Sequence, residues 1–497
     1  MNSFFKKIVD KKLIRGIVMK KFMYILTVFA LNLLWLSNPN YAQIPEKFQL
    51  LIDQGEFSKA QQLMVEELVV NLEINPSLKL DLTFQIERLE RIKKDFTATK
   101  DDILNYIKQY VPDVKEAELD QWEKEKSLEC MIIDGQKRYF KNVAPNLFRI
   151  NKRLKKIKAK ASQPGTAPLY NRLEDVRNII KKAKESGNKF VNPVRVRITY
   201  TLSVNKDMVP KGKIIRCWLP YPREIPNRQM AIKLVSTRPT RYIIAPNDEY
   251  LQRTIYLEQP AQADEATMFQ VIFEVTTYAV YQKIDPQQVT PAKKTPELKP
   301  YLAERPPHIV FSEDLKSLSK KLVRNETNPY FIARKIFKWI NDNIPWASAR
   351  EYSTFSNISD YVYQNRHCDC GMHEIFFMTL CRMNGIPTKW QSGWTTKPGG
   401  GGMHDWGEIY FEPYGWLPVD ADIGLVASQH EDEKWFFIGG MDAYRLIVND
   451  DYSQNIYPAK IHFRSETIDF QRGEVEWEGG NLYFDQWDWD YKVESLN

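Results

Sequence analysis

Three residues that can share one reaction follow one another in the last third of the chain. Cys370 stands before an apolar run, His404 begins the segment His-Asp-Trp, and Asp420 ends the segment Gly-Trp-Leu-Pro-Val-Asp. A thiol attacks a carbonyl carbon when a base takes its proton, and a carboxylate can orient the imidazole that acts as this base. These residue types, in this order, predict a nucleophile, its base and the group that orients the base.

A helix is predicted directly after the thiol. Residues 371–384 are rich in helix formers and carry a broad apolar face, with Asp369 as the predicted N-cap and Gly385 as the predicted C′ residue. Cys370 then lies in the first turn, where free N–H groups and the positive end of the helix dipole favour a thiolate over a thiol. The same N–H groups can stabilise an oxyanion.

A hairpin is predicted to bring the histidine and the aspartate together. Residues 405–411 and 416–420 have the pattern of two strands, joined by the turn Pro-Tyr-Gly. His404 would open the first strand and Asp420 would close the second, so their side chains can lie side by side. A carboxylate in this place fixes the imidazole tautomer and stabilises the charged ring.

At these positions the chain resembles the transglutaminase-like superfamily, whose core is a papain-like Cys-His-Asp fold. The family pattern has a Cys at a helix start, Gly-Ile-Pro fifteen residues later, a His-x-Trp strand, Gly-Trp, and an Asp sixteen residues after the His. Cys370 to Gly385 and His404 to Asp420 match both spacings. The residues between them that also match are Trp406, Glu408, Gly415 and Trp416.

Upstream of the Cys, residues 328–346 look like the helix and strand that precede it in this family. With this segment included, the resemblance covers roughly residues 300–430. It implies a catalytic triad of Cys, His and Asp. Beyond the N–H group of the cysteine, Gln364 and Trp346 are candidates for a second oxyanion donor. Trp406 is more often a core residue at such a position, although it could shield the imidazole from water.

A second thiol departs from the family pattern. Cys368 lies two residues before Cys370, and His367 and His373 flank the pair. Spacing selects Cys370, because only this thiol lies fifteen residues before the Gly-Ile-Pro segment. The alternative is a metal site formed by these four residues and His404, since thiolates and imidazoles suit zinc or copper. Crowding at the helix start makes tetrahedral closure awkward, so we expect no metal and no cofactor.

The composition is that of a large globular protein. The 497 residues, 43% of them hydrophobic and 13% aromatic, suffice for two to four domains, and the net charge of +7 is mild for this length. A basic run at residues 149–160 is typical of a solvated helix face, and no nucleic-acid motif accompanies it. An acidic surface of the cell envelope is the alternative partner for this run.

The N-terminus has the pattern of a signal peptide. Lys20-Lys21 precede the apolar stretch 22–36, and small and polar residues follow up to Ala42, which gives a predicted signal peptide over residues 1–42. The true start could be Met19. We therefore expect an exported, periplasmic or secreted protein whose mature chain has no integral membrane segment. Five cysteines are an odd number, so at least one thiol stays unpaired, as a cysteine enzyme needs. The alternative is that Cys368 and Cys370 oxidise with each other, which would silence the nucleophile.

The remaining pattern predicts a multidomain α+β protein. The period of the apolar residues indicates a mostly helical N-terminal domain at 43–190 and a β-sandwich at 191–283, where short strands alternate apolar and polar residues. A Pro-rich linker, 284–310, precedes the transglutaminase-like catalytic domain at 311–450. A C-terminal β extension, 451–497, completes the chain.

These features favour a thiol enzyme that acts on amide bonds of peptides or proteins through an acyl-enzyme. Hydrolysis by a peptidase or amidase is favoured over cross-linking by an acyltransferase, because water competes well unless a shielded tunnel excludes it. The alternative is a non-catalytic scaffold that binds an envelope protein or a glycan. Stem peptides of peptidoglycan, host or dietary proteins and isopeptides all remain open as substrates, as does the oligomeric state.

Overall fold

A computed structural model describes residues 44–71, 73–161 and 170–496. The predicted signal peptide, residues 1–42, and its cleavage point after Ala42 lie outside the described residues. No helix in the described ranges is both long enough and apolar enough to cross a membrane.

The protein has mixed α and β structure, with helices and several antiparallel sheets. The helices are α1 (Glu46–Asp53), α2 (Phe57–Val70), α3 (Pro76–Asp95), α4 (Lys100–Lys108), α5 (Glu116–Lys124), α6 (Val143–Ile150), α7 (Lys152–Ala161), α8 (Arg172–Ser186), α9 (Glu313–Val323), α10 (Pro329–Asn343), α11 (Ile358–Asn365), α12 (Cys370–Met383) and α13 (Glu431–Lys434). The strands are β1 (Cys130–Ile133), β2 (Gln136–Tyr139), β3 (Phe190–Val204), β4 (Ile214–Pro220), β5 (Gln229–Arg238), β6 (Tyr242–Ile244), β7 (Thr254–Pro260), β8 (Thr267–Tyr281), β9 (Thr388–Thr395), β10 (Gly402–Phe411), β11 (Gly415–Val419), β12 (Gly440–Met441), β13 (Arg445–Asn449), β14 (Glu474–Trp477), β15 (Gly480–Leu482) and β16 (Trp487–Ser495).

Helices α1 to α8 and the hairpin β1–β2 form the N-terminal part. The local sequence explains their ends: Thr99 and Asp102 form a capping box at the start of α4, and each accepts a hydrogen bond from the backbone N–H of the other. In the hairpin, Asp134 and Gly135 both have positive φ, at 48° and 78°, as a two-residue turn of this kind requires. Apolar side chains of α1 to α7 and of the hairpin share one core, whereas those of α8 lie in the core that surrounds α12.

Two five-stranded antiparallel sheets follow. One has the order β12-β8-β3-β16, with β5 also paired to β8, and the other has the order β15-β14-β4-β7-β6. Apolar side chains of both sheets form one common core, as in stacked sheets of a sandwich. Strands β14, β15 and β16 come from the C-terminal end of the chain, so the last residues fold back onto strands near position 200.

Helix α12 and a four-stranded antiparallel sheet, β11-β10-β9-β13, hold the residues with predicted chemistry. Nearly every residue of α12 is buried, and most of them are apolar. The buried polar residues of the helix are His373, Glu374, Thr379 and Arg382. Cys370 is the first residue of this helix. His404 is the third residue of β10 rather than the residue before it, and Asp420 directly follows β11.

The Pro-rich stretch 284–310 is packed against the sheet and helices around it. Ile284, Val289 and Ile309 are buried in the same core as α12. Arg305 forms an ion pair with Asp451, with 2.8 Å between Nη1 and Oδ1. This segment is therefore a fixed part of the structure around the candidate site.

Candidate active site

Cys370 lies at the N-terminus of α12, half-buried. Asp369 caps the helix, accepting the N–H of Met372 at 3.2 Å, and receives the hydroxyl of Tyr352 at 2.7 Å. The thiol of Cys370 donates to Asp405 Oδ2, with 3.2 Å between Sγ and oxygen. The predicted capping of this helix by Asp369 is therefore observed, while the partner of the thiol is a residue that sequence reasoning missed.

The thiol form of Cys370 is favoured over the thiolate. Burial raises the pKa of Cys370 well above its ordinary value, and the carboxylates of Asp405, Asp369 and Asp422 raise this pKa further. The sequence predicted the opposite direction from the helix dipole alone. The difference arises because three acidic side chains surround the sulfur, two of them from other segments of the chain.

His404 and Asp420 form a buried pair. Nε2 of the imidazole lies 2.8 Å from Oδ2 of the carboxylate, whose Oδ1 accepts the N–H of Ile423 at 2.9 Å. Burial alone would raise the pKa of Asp420, but the charges of His404 and Arg445 outweigh it and hold this pKa well below its usual range. Asp420 is thus an ionised carboxylate on one nitrogen of the ring, and Nδ1 is left for a proton from a substrate or a nucleophile.

Arg445, the first residue of β13, completes this pair. Its Nη1 lies 3.0 Å from Asp420 Oδ2, its Nε lies 3.2 Å from Asp442 Oδ2, and its guanidinium lies 5.4 Å from the ring centre of Trp406. All of its side chain is buried. The sequence signal for this residue is a charged side chain directly before the apolar run Leu-Ile-Val, because a buried arginine requires an acidic partner.

Asp422 lies between His373 and His404. Its Oδ1 lies 2.8 Å from His373 Nδ1, and its Oδ2 lies 3.8 Å from His404 Nδ1. Nε2 of His373 lies 2.9 Å from the carbonyl oxygen of Ile344. Burial lowers the pKa of His373, but Cys368 and Asp422 raise it, and the net pKa is well above its ordinary value. The charged ring can therefore donate from both nitrogens.

The five residues of the alternative metal site do not form one cluster. His367 Nε2 lies 3.1 Å from the carbonyl oxygen of Lys126, and burial raises the pKa of the Cys368 thiol to about 11. Within the described part of the chain, the ligand atoms that approach one another within 4.8 Å belong to His404, Asp420 and Asp422. Arg445 already places a positive charge 3.0 Å from Asp420, which disfavours a cation there.

The two predicted oxyanion donors differ in position. Gln364 is exposed on α11. Trp346 pairs in parallel with Cys368, its side chain is 42% exposed, and the guanidinium of Arg149 lies 4.7 Å from its ring centre. Trp346 is therefore the candidate whose backbone lies beside the helix start.

Trp406 is buried beside the imidazole. Its ring centre lies 5.9 Å from that of His404, and its Nε1 donates to Gln391 Oε1 at 3.0 Å. Only 1% of the residue is exposed, so the indole covers the His404–Asp420 pair from the interior of the protein. This position suits exclusion of water better than contact with a substrate.

Gly371 is the one position at the helix start where a side chain has no room. An added Cβ would collide with the hydroxyl of Tyr352 and would lie 2.9 Å from both Asp405 Oδ2 and Trp390 Cη2. We expect Gly371→Ala to lower the free energy of unfolding by about 1–3 kcal/mol, because neighbours around the thiol must move. Denaturant unfolding measures this change. Gly402→Ala is the control, since its Cβ would meet no atom within 4 Å; equal losses in both variants would contradict the prediction.

Comparison with known proteins places the candidate site inside a described family. Residues 316–421 match the model of the transglutaminase-like superfamily, and this range contains Cys370, His404 and Asp420. The resemblance drawn from the sequence is thereby confirmed.

Solved structures give weaker similarities. A presumed cysteine protease from Cytophaga hutchinsonii is 16% identical, with 62% of this chain and 92% of that chain covered and a TM-score of 0.43. The periplasmic domain of TgpA from Pseudomonas aeruginosa is 14% identical, with coverages of 50% and 90% and a TM-score of 0.23. No curated protein sequence matches the chain.

Proposed function

Because residues 316–421 match the transglutaminase-like superfamily, we propose that the protein is a thiol enzyme acting on amide bonds of peptides or proteins. Cys370 is the nucleophile, His404 its base and Asp420 the carboxylate that orients the base. The observation that carries this proposal is the buried contact of 2.8 Å between His404 Nε2 and Asp420 Oδ2, which leaves Nδ1 available for proton transfer. The charges of His404 and Arg445 together hold the pKa of that carboxyl below its usual range.

The reaction has two stages. In the first, the sulfur of Cys370 attacks the carbonyl carbon of the amide while its proton passes to His404, and the oxyanion that forms lies near the N–H groups at the start of α12. The tetrahedral intermediate then collapses: the C–N bond breaks, the leaving amine takes the proton from His404, and a thioester remains. In the second, His404 takes a proton from water, whose oxygen attacks the thioester carbon. The C–S bond then breaks, the carboxylic acid leaves, and His404 returns its proton to the sulfur of Cys370.

We favour water over an amine as the second substrate. Cys370 is half-buried, and bulk water at high concentration competes with any amine unless the site excludes it. The N-terminal pattern of Lys20-Lys21 followed by the apolar stretch 22–36 supports an exported enzyme with a protein or envelope substrate. The non-catalytic scaffold is the competing function.

A peptide pool incubated with the chain from Gln43 onward tests the proposal. The pool is prepared from a digested protein and mixed with a fluorescent primary amine, and mass spectrometry identifies the products. We expect new free carboxyl termini or deamidated side chains, and no incorporated amine. Incorporated amine in place of hydrolysis would show cross-linking, and a folded protein that yields neither product would favour the scaffold.

A further inference from the structure

The thiol of Cys370 forms its hydrogen bond with the carboxylate of Asp405 and not with His404, the predicted base. Cys370 Sγ donates to Asp405 Oδ2 at 3.2 Å, whereas His404 contacts Asp420 at 2.8 Å and faces Asp422 at 3.8 Å. Asp405 is only 2% exposed, so water does not screen its charge from the sulfur. The thiol and the imidazole are thus each occupied by a different carboxylate.

Asp405 is fixed by a residue from the C-terminal part of the chain. The amide Nε2 of Gln471 donates to Asp405 Oδ1 at 2.7 Å and to the carbonyl oxygen of His404 at 2.9 Å. Gln471 itself is anchored, since its carbonyl oxygen accepts the indole N–H of Trp394 at 2.9 Å. One carboxylate oxygen is therefore held by Gln471, and the other is left to face the thiol.

The packing of Gly371 at the start of α12 also sets the position of Asp405 relative to the thiol. A side chain on Gly371 would overlap the hydroxyl of Tyr352 and crowd Asp405 Oδ2, so the glycine allows the carboxylate to approach the helix. Both oxygens of Asp405 accept hydrogen bonds, one from the amide of Gln471 and the other from the thiol of Cys370.

We infer that Asp405 is a positioning residue that holds Cys370 as a thiol in the resting enzyme, with Gln471 of the C-terminal segment fixing Asp405 for this task. The inference rests on the proposed function, in which Cys370 is the nucleophile. A carboxylate that accepts the S–H hydrogen bond stabilises the thiol, and its negative charge opposes the thiolate. The C-terminal segment thus contributes to the active site without supplying a reacting group.

Other charged groups also face the sulfur or Asp405, and they set the pH dependence. Asp369 at the N-cap and Asp422 after β11 add negative charge near Cys370. Burial raises the pKa of Asp405 well above its ordinary value, and the neighbouring Asp469 and Asp369 raise it further. Glu466 also raises the pKa of Asp405, and the hydrogen bond from Cys370 lowers it. Asp405 gains a proton as the pH falls, so its opposition to the thiolate is strongest at alkaline pH and weakens toward acid pH.

Alkylation of Cys370 by iodoacetamide tests this inference without a substrate. The rate is followed from pH 5 to pH 9 by mass spectrometry of the Cys370 peptide, in wild-type protein, Asp405→Asn and Gln471→Ala. We expect Asp405→Asn to react about tenfold faster than wild type at pH 8, with the ratio falling toward one at pH 5. Gln471→Ala, which leaves the carboxylate in place but unfixed, should give a smaller increase with the same pH trend.

Asp360→Asn is the matched control, because Asp360 is a half-buried carboxylate on the neighbouring helix α11 that contacts Ser312 instead of the thiol. Its profile should coincide with that of wild type. Identical profiles for Asp405→Asn and wild type, or slower alkylation of the variant at every pH, would overturn the inference. If wild type cleaves no amide while Asp405→Asn still shows faster alkylation, the proposed function fails and the hold on the thiol stands.

Discussion

Cys370→Ala removes amide-bond cleavage, and we expect the rate to fall by about 10⁴-fold or more. Without the sulfur no thioester can form, and His404 and Asp420 then have no nucleophile to activate. The remaining N–H groups at the start of α12 can still polarise a bound carbonyl, so slow attack by water sets the residual rate. Turnover of the peptides that wild type cleaves, measured by mass spectrometry, gives this ratio.

Two other thiols serve as controls for this loss. Cys368→Ala should retain most of the activity, because this thiol is only 1% exposed and cannot reach a substrate, whereas Cys370 is half-buried. Cys130→Ala, in the distant hairpin β1–β2, should be unchanged. If Cys368→Ala lost activity while Cys370→Ala retained it, the nucleophile would be Cys368 and the assignment of Cys370 would be wrong.

We expect Arg445→Met to destabilise the protein by about 3–5 kcal/mol, because it removes the buried cation that bridges two buried carboxylates. Asp420 and Asp442 are 0% and 1% exposed, and Arg445 lies 3.0 Å and 3.2 Å from their oxygens. Methionine keeps much of the side-chain volume, so the loss reports charge and not a cavity. Denaturant unfolding at pH 7 measures the change.

The loss should depend on pH in a defined direction. The pKa of Asp420 is lowered in the folded protein, so its ionised form stabilises the fold above the unfolded pKa of about 4, and this stability is lost as the pH falls. The destabilisation by Arg445→Met should therefore be largest near pH 7 and smaller below about pH 4. Arg177→Met is the control, since Arg177 is 51% exposed and pairs with Glu433 at the surface; a change above about 1 kcal/mol there would be unexpected. An effect of Arg445→Met that does not vary with pH would contradict the electrostatic explanation.

Local sequence patterns were sufficient for the helix and the hairpin that carry the site. Asp369 and Gly385 punctuate a strongly apolar run, and the structure has a helix over Cys370–Met383 between them. The predicted strands at 405–411 and 416–420 correspond to β10 and β11 within a few residues. Such features depend on hydrogen bonds and turns between near neighbours, which is why the sequence reveals them.

The partners of the site residues could not be predicted in the same way. Arg445 and Gln471 come from segments with no recognisable motif, and they reach Asp420 and Asp405 only after the chain has folded back. The charge state of Cys370 was predicted in the wrong direction for the same reason. Helix position is a local property, whereas burial and the approach of carboxylates are set by tertiary structure.

The pairing partners of the C-terminal strands could not be predicted from local sequence either. The sequence predicted a β extension at 451–497, and strand β16 lies within this segment. Its partner is β3, whose residue Tyr200 pairs with Tyr491 across nearly three hundred positions of sequence. Pairing at this separation leaves no local signal, so a tail that looks like an extension proves to be a component of the sheets.

Trapping the covalent intermediate is the most direct measurement for Cys370 as the nucleophile. Wild-type protein is mixed with a peptide that it cleaves, quenched in acid within the first turnovers, and digested for mass spectrometry. We predict an acyl adduct on the Cys370 peptide that hydroxylamine removes, and no adduct in Cys370→Ala. Cleavage that proceeds at an undiminished rate in Cys370→Ala, or an adduct that maps to another residue, would contradict the assignment of Cys370.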